Sequence, residues 1–156
     1  MKFDRIDIKI LSELQKDAAQ SVAAIGEKAG LSQNACWRRL KRFEDEGVLD
    51  KKVALLNERA LGLGVTVYVT IRTNQHTQDW LQAFAKGVQS IPEIIEFCRL
   101  SGEADYLLKV VVRDIQDYDR VYKKLIAVAP LSDVSSSFVM ERIKFTTELP
   151  LPAPGA

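Results

Sequence analysis

The spacing of apolar residues changes after Gly47, and the change limits the folds that the sequence can adopt. Before Gly47, apolar side chains recur every third or fourth residue, which is the spacing of amphipathic helices. After it, the stretch VTVYVTIR alternates apolar and polar residues, as in a strand with one buried face. The sequence therefore predicts a helical first region followed by a region that contains both strands and helices.

Three helices are predicted in the first region. The first follows Asp4 as its N-cap, the second begins at Ser21 and ends at Gly30, and the third follows the N-cap Ser32 and ends at Gly47. Only two residues separate the second helix from the cap of the third. These two helices must therefore turn sharply against each other, as in a helix-turn-helix.

The third predicted helix concentrates positive charge in a nearly neutral chain. The chain has 22 Lys and Arg against 21 Asp and Glu, yet residues 34–43 contain four cations and no acid. At about 100° per residue, Cys36, Leu40 and Phe43 share an inward stripe, and the cations lie mostly outside it. The acids follow at residues 44–46, where they oppose the helix dipole. Helix stability does not explain this order, whereas a negatively charged partner does.

The outward face of this helix is a candidate DNA-contacting surface. A guanidinium can bind guanine O6 and N7 with two hydrogen bonds, which makes Arg38 the candidate for base recognition, while Arg39 lies nearer the core edge. Amide side chains suit adenine or phosphate, and the other cations suit phosphates. For Trp37 two roles are open, packing on the sugar-phosphate edge or half-buried packing within the domain. The candidate DNA-binding residues are Ser32, Gln33, Asn34, Trp37, Arg38, Arg39, Lys41 and Arg42.

A solvated charged face is the alternative for this helix, because most Lys- and Arg-rich helices are simply exposed. Its position favours DNA binding, since the helix follows a tight turn and is the last of three, where a recognition helix belongs.

The second region reads β-α-β-β-α-β, which is the order of the ferredoxin-like fold. The predicted elements are the strand VTVYVTIR, a helix from Gln78 to Gln89, the strands IIEFCRL and YLLKVVV, a helix that ends before Pro130, and the strand SSSFVMERIKF. The fold class is therefore α+β.

The loop SGEAD between the two middle strands is a candidate binding site for a free amino acid. Such a zwitterion needs an anion-binding set of N–H or hydroxyl donors close to an anionic acceptor. Gly102 permits a turn that exposes backbone N–H groups, Asp105 offers a carboxylate, and Ser135, Ser136 and Ser137 offer hydroxyls. The alternative is an ordinary turn, because Gly and Asp are common in hairpin loops for conformational reasons.

The sequence gives little support for a catalytic site or a metal-binding site. His76 lies in a polar loop without ligands at metal-binding spacing, and it is interpreted as an ordinary loop residue. Glu103 and Asp105 resemble paired catalytic carboxylates, but that chemistry needs an enclosed groove. The sequence contains none of the common nucleotide-binding or nucleophile motifs.

The compartment is predicted to be the cytoplasm, because the sequence has no secretory signal and no run of about 20 apolar residues. Cys36 and Cys98 are predicted to be reduced, structural thiols. Only the basic first turn around Cys36 favours a lowered thiol pKa.

The residues LSQNACWRRLKRFEDEGVLDKKVALLN, followed later by SGEADYLLKVVV, resemble the Lrp/AsnC family of feast/famine transcriptional regulators. The resemblance extends from about Asp4 to Pro150, and longer stretches are similar to the branch that regulates cysteine detoxification. Ala35 stands where similar members have a proline before the Cys-Trp pair.

The resemblance implies a winged-type helix-turn-helix domain and a ferredoxin-like ligand-binding domain of the AsnC type, also called a RAM domain. The expected segments are 1–50 for DNA binding, 51–63 as a strand linker, 64–149 for ligand binding and oligomerisation, and 150–156 as a Pro-rich tail, extended or disordered.

The resemblance also implies the partners. Double-stranded DNA and further copies of the chain are expected, in dimers that assemble into tetramers, octamers or larger rings, with no membrane, metal or cofactor. The expected effector is a small amino acid, with cysteine, leucine and methionine as candidates. Its implied site comprises Leu100, Ser101, Gly102, Glu103, Asp105 and Tyr106, with Ser135, Ser136 and Ser137 contributed by a neighbouring chain.

The expected function is therefore amino-acid-responsive regulation of transcription by a sequence-specific DNA-binding protein that is not an enzyme. Two alternatives remain open on the sequence. One is an architectural DNA-binding protein that responds to no effector, and the other is an enzyme on a ferredoxin-like domain with a DNA-binding appendage.

Overall fold

A computed structural model of the chain describes residues 2–155. The chain divides into two compact units. The first comprises the described residues of Met1–Leu55 and Lys144–Ala156, and the second is Leu56–Ile143. The first unit is helical, and the second contains a sheet with two helices.

The first unit contains three helices, and their predicted caps are confirmed. The helices are α1 (Arg5–Lys16), α2 (Val22–Ala29) and α3 (Gln33–Asp45). The side chains of Asp4, Ser21 and Ser32 each accept a backbone N–H of the first turn that follows. Gly30 ends α2 at φ 75°, in the left-handed region that favours glycine.

The core of the first unit is shared by all three helices. The inward stripe predicted for the third helix is confirmed, since Cys36 and Phe43 are fully buried. At Gly26, a Cβ would lie 3.1 Å from the Leu31 carbonyl oxygen and 3.3 Å from Cys36 Cβ. The tight turn between α2 and α3 therefore leaves little room for a side chain here. The buried apolar residues are Ile10, Leu11, Leu14, Ile25, Ala29, Cys36, Leu40 and Phe43.

The C-terminal segment packs on this helical unit. The Gln15 side-chain amide donates to the Leu149 carbonyl at 3.1 Å, and its oxygen accepts the Leu149 N–H at 2.6 Å. Leu151 packs against the helical core, and the N–H of Gly155 donates to the carbonyl of Phe3 at 2.8 Å. No local pattern signals these contacts, because they join residues from opposite ends of the sequence.

The second unit is a four-stranded antiparallel sheet with the strand order β2-β3-β1-β4, which confirms the ferredoxin-like prediction. Its elements are β1 (Val65–Arg72), α4 (Gln78–Gln89), β2 (Ile94–Arg99), β3 (Tyr106–Val112), α5 (Ile115–Val128) and β4 (Asp133–Phe138). The segment predicted as a strand linker, 51–63, contains turns but no strand.

One face of this sheet packs under the two helices. Val67, Val69 and Ile71 are fully buried in the same core as Phe84 of α4 and Val121 of α5. The prediction from the alternation of β1 is therefore confirmed: these apolar side chains share the buried face of the sheet, because successive side chains of a strand point to opposite faces.

The last strand begins earlier and ends earlier than predicted. Phe138 pairs with Val67, and the N–H of Val139 donates to the carbonyl of Thr66 at 2.9 Å. The ladder stops there because β1, the partner strand, begins only one residue earlier, at Val65. Beyond it, Met140 is 95% exposed, so the predicted continuation of the strand to residue 145 is wrong.

Candidate functional site

The outward face of α3 exposes part of the predicted DNA-binding set. Asn34, Arg38 and Lys41 are exposed, and Trp37 is 56% exposed. Within residues 2–155, no ion pair is formed by Arg38. Lys41 pairs with the half-exposed Asp45 one turn later at 2.7 Å, a contact that water and a competing phosphate can reach.

Two further arginines of α3 point towards α1 instead. The Nη1 atom of Arg39 lies 2.6 Å from Asp7 Oδ1 and 2.7 Å from Asp4 Oδ2. The Nη2 atom of Arg42 lies 2.8 Å from the same Asp7 oxygen. Asp7 is only 1% exposed. Sequence reasoning assigned Arg39 and Arg42 to DNA and missed the carboxylate that holds them.

The same two carboxylates form the capping box of α1. Asp4 accepts the N–H groups of Ile6 and Asp7 at 2.8 Å, and Asp7 accepts the N–H of Asp4 at 3.0 Å. The Asp7 N–H and, next, the Arg39 guanidinium lower the pKa of the Asp4 carboxyl. The N-terminus of α1 and the inner side of α3 are therefore joined by one network.

Cys36, on the inner stripe of α3, is fully buried. Burial raises the pKa of its thiol, against the smaller opposing effect of Arg39. The lowered pKa considered from its basic first turn is therefore wrong, because removing a thiolate from water outweighs the nearby cation.

In the second unit, the loop between β2 and β3 is built around Asp105. Its Oδ2 atom accepts the Thr73 N–H at 2.8 Å, its own N–H donates to the Ile71 carbonyl at 2.9 Å, and its carbonyl accepts the Leu100 N–H at 2.8 Å. Gly102 adopts φ 151°, which favours glycine. Asp105 thus ties the loop to the end of β1, and none of these bonds uses its Oδ1 atom.

An arginine that sequence reasoning missed stands beside this loop. Arg72, the last residue of β1, forms an ion pair with Glu103. The available signal was its place at the end of the strand VTVYVTIR, but its neighbour could not be read without the pairing of Ile71 with Tyr106.

Tyr106 occupies a different environment from the rest of the loop. It is 3% exposed, and its ring packs against Trp80, Phe84 and Phe97. Its side chain therefore supports the loop from within the core.

The three serines of β4 are divided between the two faces of the sheet. The hydroxyl of Ser136 is hydrogen-bonded to that of Tyr118 on the helix side, whereas Ser135 and Ser137 are exposed. Strand β1 separates β4 from β3. Within one chain, two strand spacings of about 4.8 Å therefore lie between these serines and the loop.

Both units match known domains. Residues 3–44 match the family model of the AsnC-type helix-turn-helix domain, and residues 66–149 match that of the Lrp/AsnC ligand binding domain. The chain belongs to the Lrp/AsnC family of transcriptional regulators.

Individual members of the family agree over nearly the whole chain. The glutamate uptake regulatory protein of Zymomonas mobilis is 52% identical over 151 residues, which cover 97% of this chain and 92% of that protein. DecR, a DNA-binding transcriptional activator of Escherichia coli, is 48% identical over 149 residues, covering 95% and 98%. A transcriptional regulator of Neisseria meningitidis, solved in complex with L-methionine, has a TM-score of 0.90 at 34% identity, covering 96% and 97%.

These comparisons confirm the resemblance, the α+β fold class and the prediction of a transcriptional regulator. Lrp/AsnC proteins are regulators, which also confirms that the chain is not an enzyme. None of the helices described in residues 2–155 is long and apolar enough to cross a membrane. The same residues contain no cluster of His, Cys, Asp and Glu able to hold a metal ion, and His76 is exposed.

Proposed function

We propose that this Lrp/AsnC protein binds DNA through the exposed face of α3 and that a small amino acid, bound at the loop between β2 and β3, modulates this binding. The observation that carries the proposal is the combination of an unpaired Arg38 on α3 with an Asp105 carboxylate anchored at the loop.

On α3, Arg38 is proposed to read a guanine, with Gln33, Asn34 and Lys41 contacting adenine or phosphate beside it. All four are exposed, which supports this assignment. Ser32 and Trp37 remain in the proposed interface as helix cap and flanking ring. Arg39 and Arg42 are proposed to border the interface, because both are paired with Asp7 of α1.

At the loop, the ammonium group of the effector is proposed to bind the Asp105 carboxylate. Its carboxylate is proposed to bind the backbone N–H groups of the turn from Leu100 through Gly102 to Glu103, with Ser101 alongside and Arg72 released from Glu103. The anchoring of Asp105 by the Thr73 N–H supports this arrangement, because a side chain that is already ordered loses little conformational entropy when the ligand binds. Tyr106 supports the site. Ser135 and Ser137 are proposed to join it from a neighbouring chain, with Ser136 between them held by Tyr118.

The proposed effectors are cysteine, leucine and methionine. The N. meningitidis regulator in complex with L-methionine supports a small amino acid. The resemblance of the sequence to the branch that regulates cysteine detoxification supports cysteine. Glutamate joins the screen because of the named role of the Z. mobilis relative.

The protein is proposed to act as a dimer, or as a larger assembly of dimers, in the cytoplasm, where its DNA lies. A two-fold dimer reads two adjacent major grooves about 34–36 Å apart, which one helix-turn-helix cannot do. Met140 and Ile143 support self-association, because they are 95% and 91% exposed.

A thermal-shift screen of the purified protein against the twenty amino acids tests the effector. A ligand that binds only the folded state raises the melting temperature, so we expect a shift for one or a few amino acids. The affinity for a duplex selected by the protein from a random-sequence pool is then measured with and without that amino acid.

The Asp105→Asn variant is the matched control, since its side-chain oxygen can still accept the Thr73 N–H. We expect it to lose the shift and keep DNA binding. DNA affinity that no amino acid alters would instead support an architectural protein without an effector.

A further inference from the structure

The contact between α1 and α3 in the first unit contains four charged side chains in one connected group, which we call the Asp7 cluster. Its members are Asp4, Asp7, Arg39 and Arg42. One oxygen of Asp7 receives both guanidinium groups, at 2.6 and 2.8 Å, while the other accepts the Asp4 N–H at 3.0 Å. Both Asp7 oxygens are therefore occupied.

The location of this group is unusual for charged residues. Asp7 is 1% exposed, although an ionised carboxylate loses much of its hydration on burial and is tolerated only where partners surround it. Because it is buried, the Asp7 side chain is not there to keep the protein surface soluble. Its partners are two cations of the helix that carries the candidate DNA contacts.

The geometry of the two arginines differs. Arg39 donates hydrogen bonds to both carboxylates, at 2.6 and 2.7 Å. Arg42 is close enough to Asp7 for an ion pair, and its guanidinium lies 5.1 Å from the centre of the Phe43 ring. Its buried Nε and Nη2 atoms find no hydrogen-bond partner among residues 2–155. Arg39 is thus locked in direction, whereas Arg42 is held mainly by charge.

Arg38 and Arg39 are adjacent on α3 and have opposite situations. Arg38 is exposed, while the Arg39 side chain is 26% exposed and bound to α1. Since neighbouring helical residues point about 100° apart, fixing Arg39 against α1 also fixes the direction of Arg38.

We infer that Asp7 is a positioning residue for DNA recognition: by pairing with Arg39 and Arg42 it sets the rotation of α3 against α1 and withholds two cations from DNA phosphates. Base discrimination then rests on the exposed face that carries Arg38. This inference rests on the proposed DNA contacts of α3.

The test compares two DNA duplexes, one selected by the wild-type protein from a random-sequence pool and one with the same bases shuffled. Binding of wild type and Asp7→Asn to both is measured over a range of salt concentrations. Asparagine has nearly the same shape as aspartate but cannot neutralise Arg39 and Arg42.

We expect Asp7→Asn to reduce the preference for the selected duplex by about tenfold or more, the scale of one misplaced bidentate base contact. Binding to the shuffled duplex should hold or rise, and its logarithmic salt dependence should steepen by about one unit for each phosphate contact that a released arginine makes. If Asp7 were needed only for folding, Asp7→Asn would weaken binding to both duplexes by the same factor and leave the salt dependence unchanged. That result would overturn the inference.

Asp4→Asn is the second variant and covers the case in which Asp7→Asn does not fold. It removes one carboxylate from Arg39, and the asparagine oxygen still caps α1. We expect the same two changes at smaller size, and an unchanged preference with an unchanged salt dependence would overturn the inference.

Asp17→Asn is the matched control, with the same charge change at the other end of α1. Its side-chain oxygen can still accept the Ala19 N–H, a bond of 2.8 Å in the wild type. Equal effects of Asp17→Asn and Asp7→Asn would assign the result to net charge and overturn the inference. A wild-type protein without preference for its selected duplex would instead refute the proposed DNA contacts themselves.

Discussion

Helix α3 and the loop between β2 and β3 place their candidate binding groups in different ways. On α3 the groups stand on a regular helix with a fully buried inner stripe that includes Cys36 and Phe43. In the loop they stand on a turn that Asp105 ties to the end of β1. A helix assigns each side chain to a face by its position in the sequence, whereas a loop assigns it through contacts with a distant strand. Site prediction was therefore more direct on α3.

The largest effect is expected from a substitution in the inner stripe of α3, which tests whether this stripe stabilises the first unit and not the second. Phe43 is fully buried, so Phe43→Ala should lower the free energy of unfolding of this unit by about 3–5 kcal/mol. Denaturation in urea, followed by probes in each unit, measures it. Trp37→Ala, at a position 56% exposed, is the control and should change stability far less. Equal destabilisation of both units by Phe43→Ala would mean that they unfold together.

The next prediction concerns the charge of the loop. Asp105→Asn should weaken binding of the effector found in the screen by about 1.5–3 kcal/mol, because it replaces a charged acceptor while Thr73 keeps its hydrogen bond. Titration calorimetry measures the affinity. Glu103→Gln, in a side chain 86% exposed, should have a smaller effect. Unchanged affinity in Asp105→Asn would remove this carboxylate from the site.

A third prediction distinguishes base recognition from charge on α3. Arg38→Ala should lower discrimination between selected and shuffled duplexes by about 1–3 kcal/mol, since a bidentate base contact is lost. Lys41→Ala should weaken binding to both duplexes by the same factor and reduce the logarithmic salt dependence of binding by about one unit. Fluorescence anisotropy titrations give both quantities. An unchanged preference in Arg38→Ala would reassign Arg38 to phosphate or solvent.

The fourth prediction concerns the helices under the sheet of the second unit. A Cβ at Gly87 would overlap Val128 Cγ1 and lie 3.2 Å from Val128 Cβ, so Gly87→Ala must displace the Val128 side chain or separate α4 from α5 and should cost about 1–3 kcal/mol. Gly64→Ala is the control, because its Cβ would meet only the Arg113 carbonyl oxygen, at 3.5 Å. Thermal melts compare the two variants. Equal melting temperatures would show that Val128 moves aside at no cost.

The smallest expected effect depends on pH and involves the contact between α1 and α2. Hydrogen bonds from Lys28 and then Lys16 lower the pKa of Glu13 from its ordinary 4.5 to about 2. A lowered pKa in the folded state stabilises the fold above pH 4.5, and this contribution is lost as the pH falls towards 2. Melting temperatures of wild type and Glu13→Gln should therefore differ slightly at pH 6 and converge at low pH. A difference that persists at low pH would argue against the ion pairs.

Most of the fold could be predicted from local patterns. The caps Asp4, Ser21 and Ser32 lie where the sequence placed them, and the order of strands and helices is confirmed. The last strand was predicted too long, because alternation continues beyond Phe138 although β1 begins only two residues before Val67, the partner of Phe138. Alternation of apolar and polar residues shows that a segment favours an extended strand, but its backbone hydrogen bonds are completed only where a neighbouring strand lies beside it.

The candidate sites could be predicted in part. Exposure of Arg38 followed from helical geometry, and the loop around Asp105 followed from its residue types. The ion pair of Arg72 with Glu103 and the packing of the Tyr106 ring did not, because both depend on the register between β1 and β3.

The sequence by itself determined where the first three helices begin, which stripe of α3 turns inward and which family the chain resembles. These properties follow from periodicity, caps and short motifs, which act over a few residues. The tertiary structure decided that Asp7 holds Arg39 and Arg42 and that the segment around Leu149 packs on Gln15. Such contacts depend on how distant segments are placed against each other, because a buried charge or an unpaired backbone group is satisfied by whichever partner packing brings within reach.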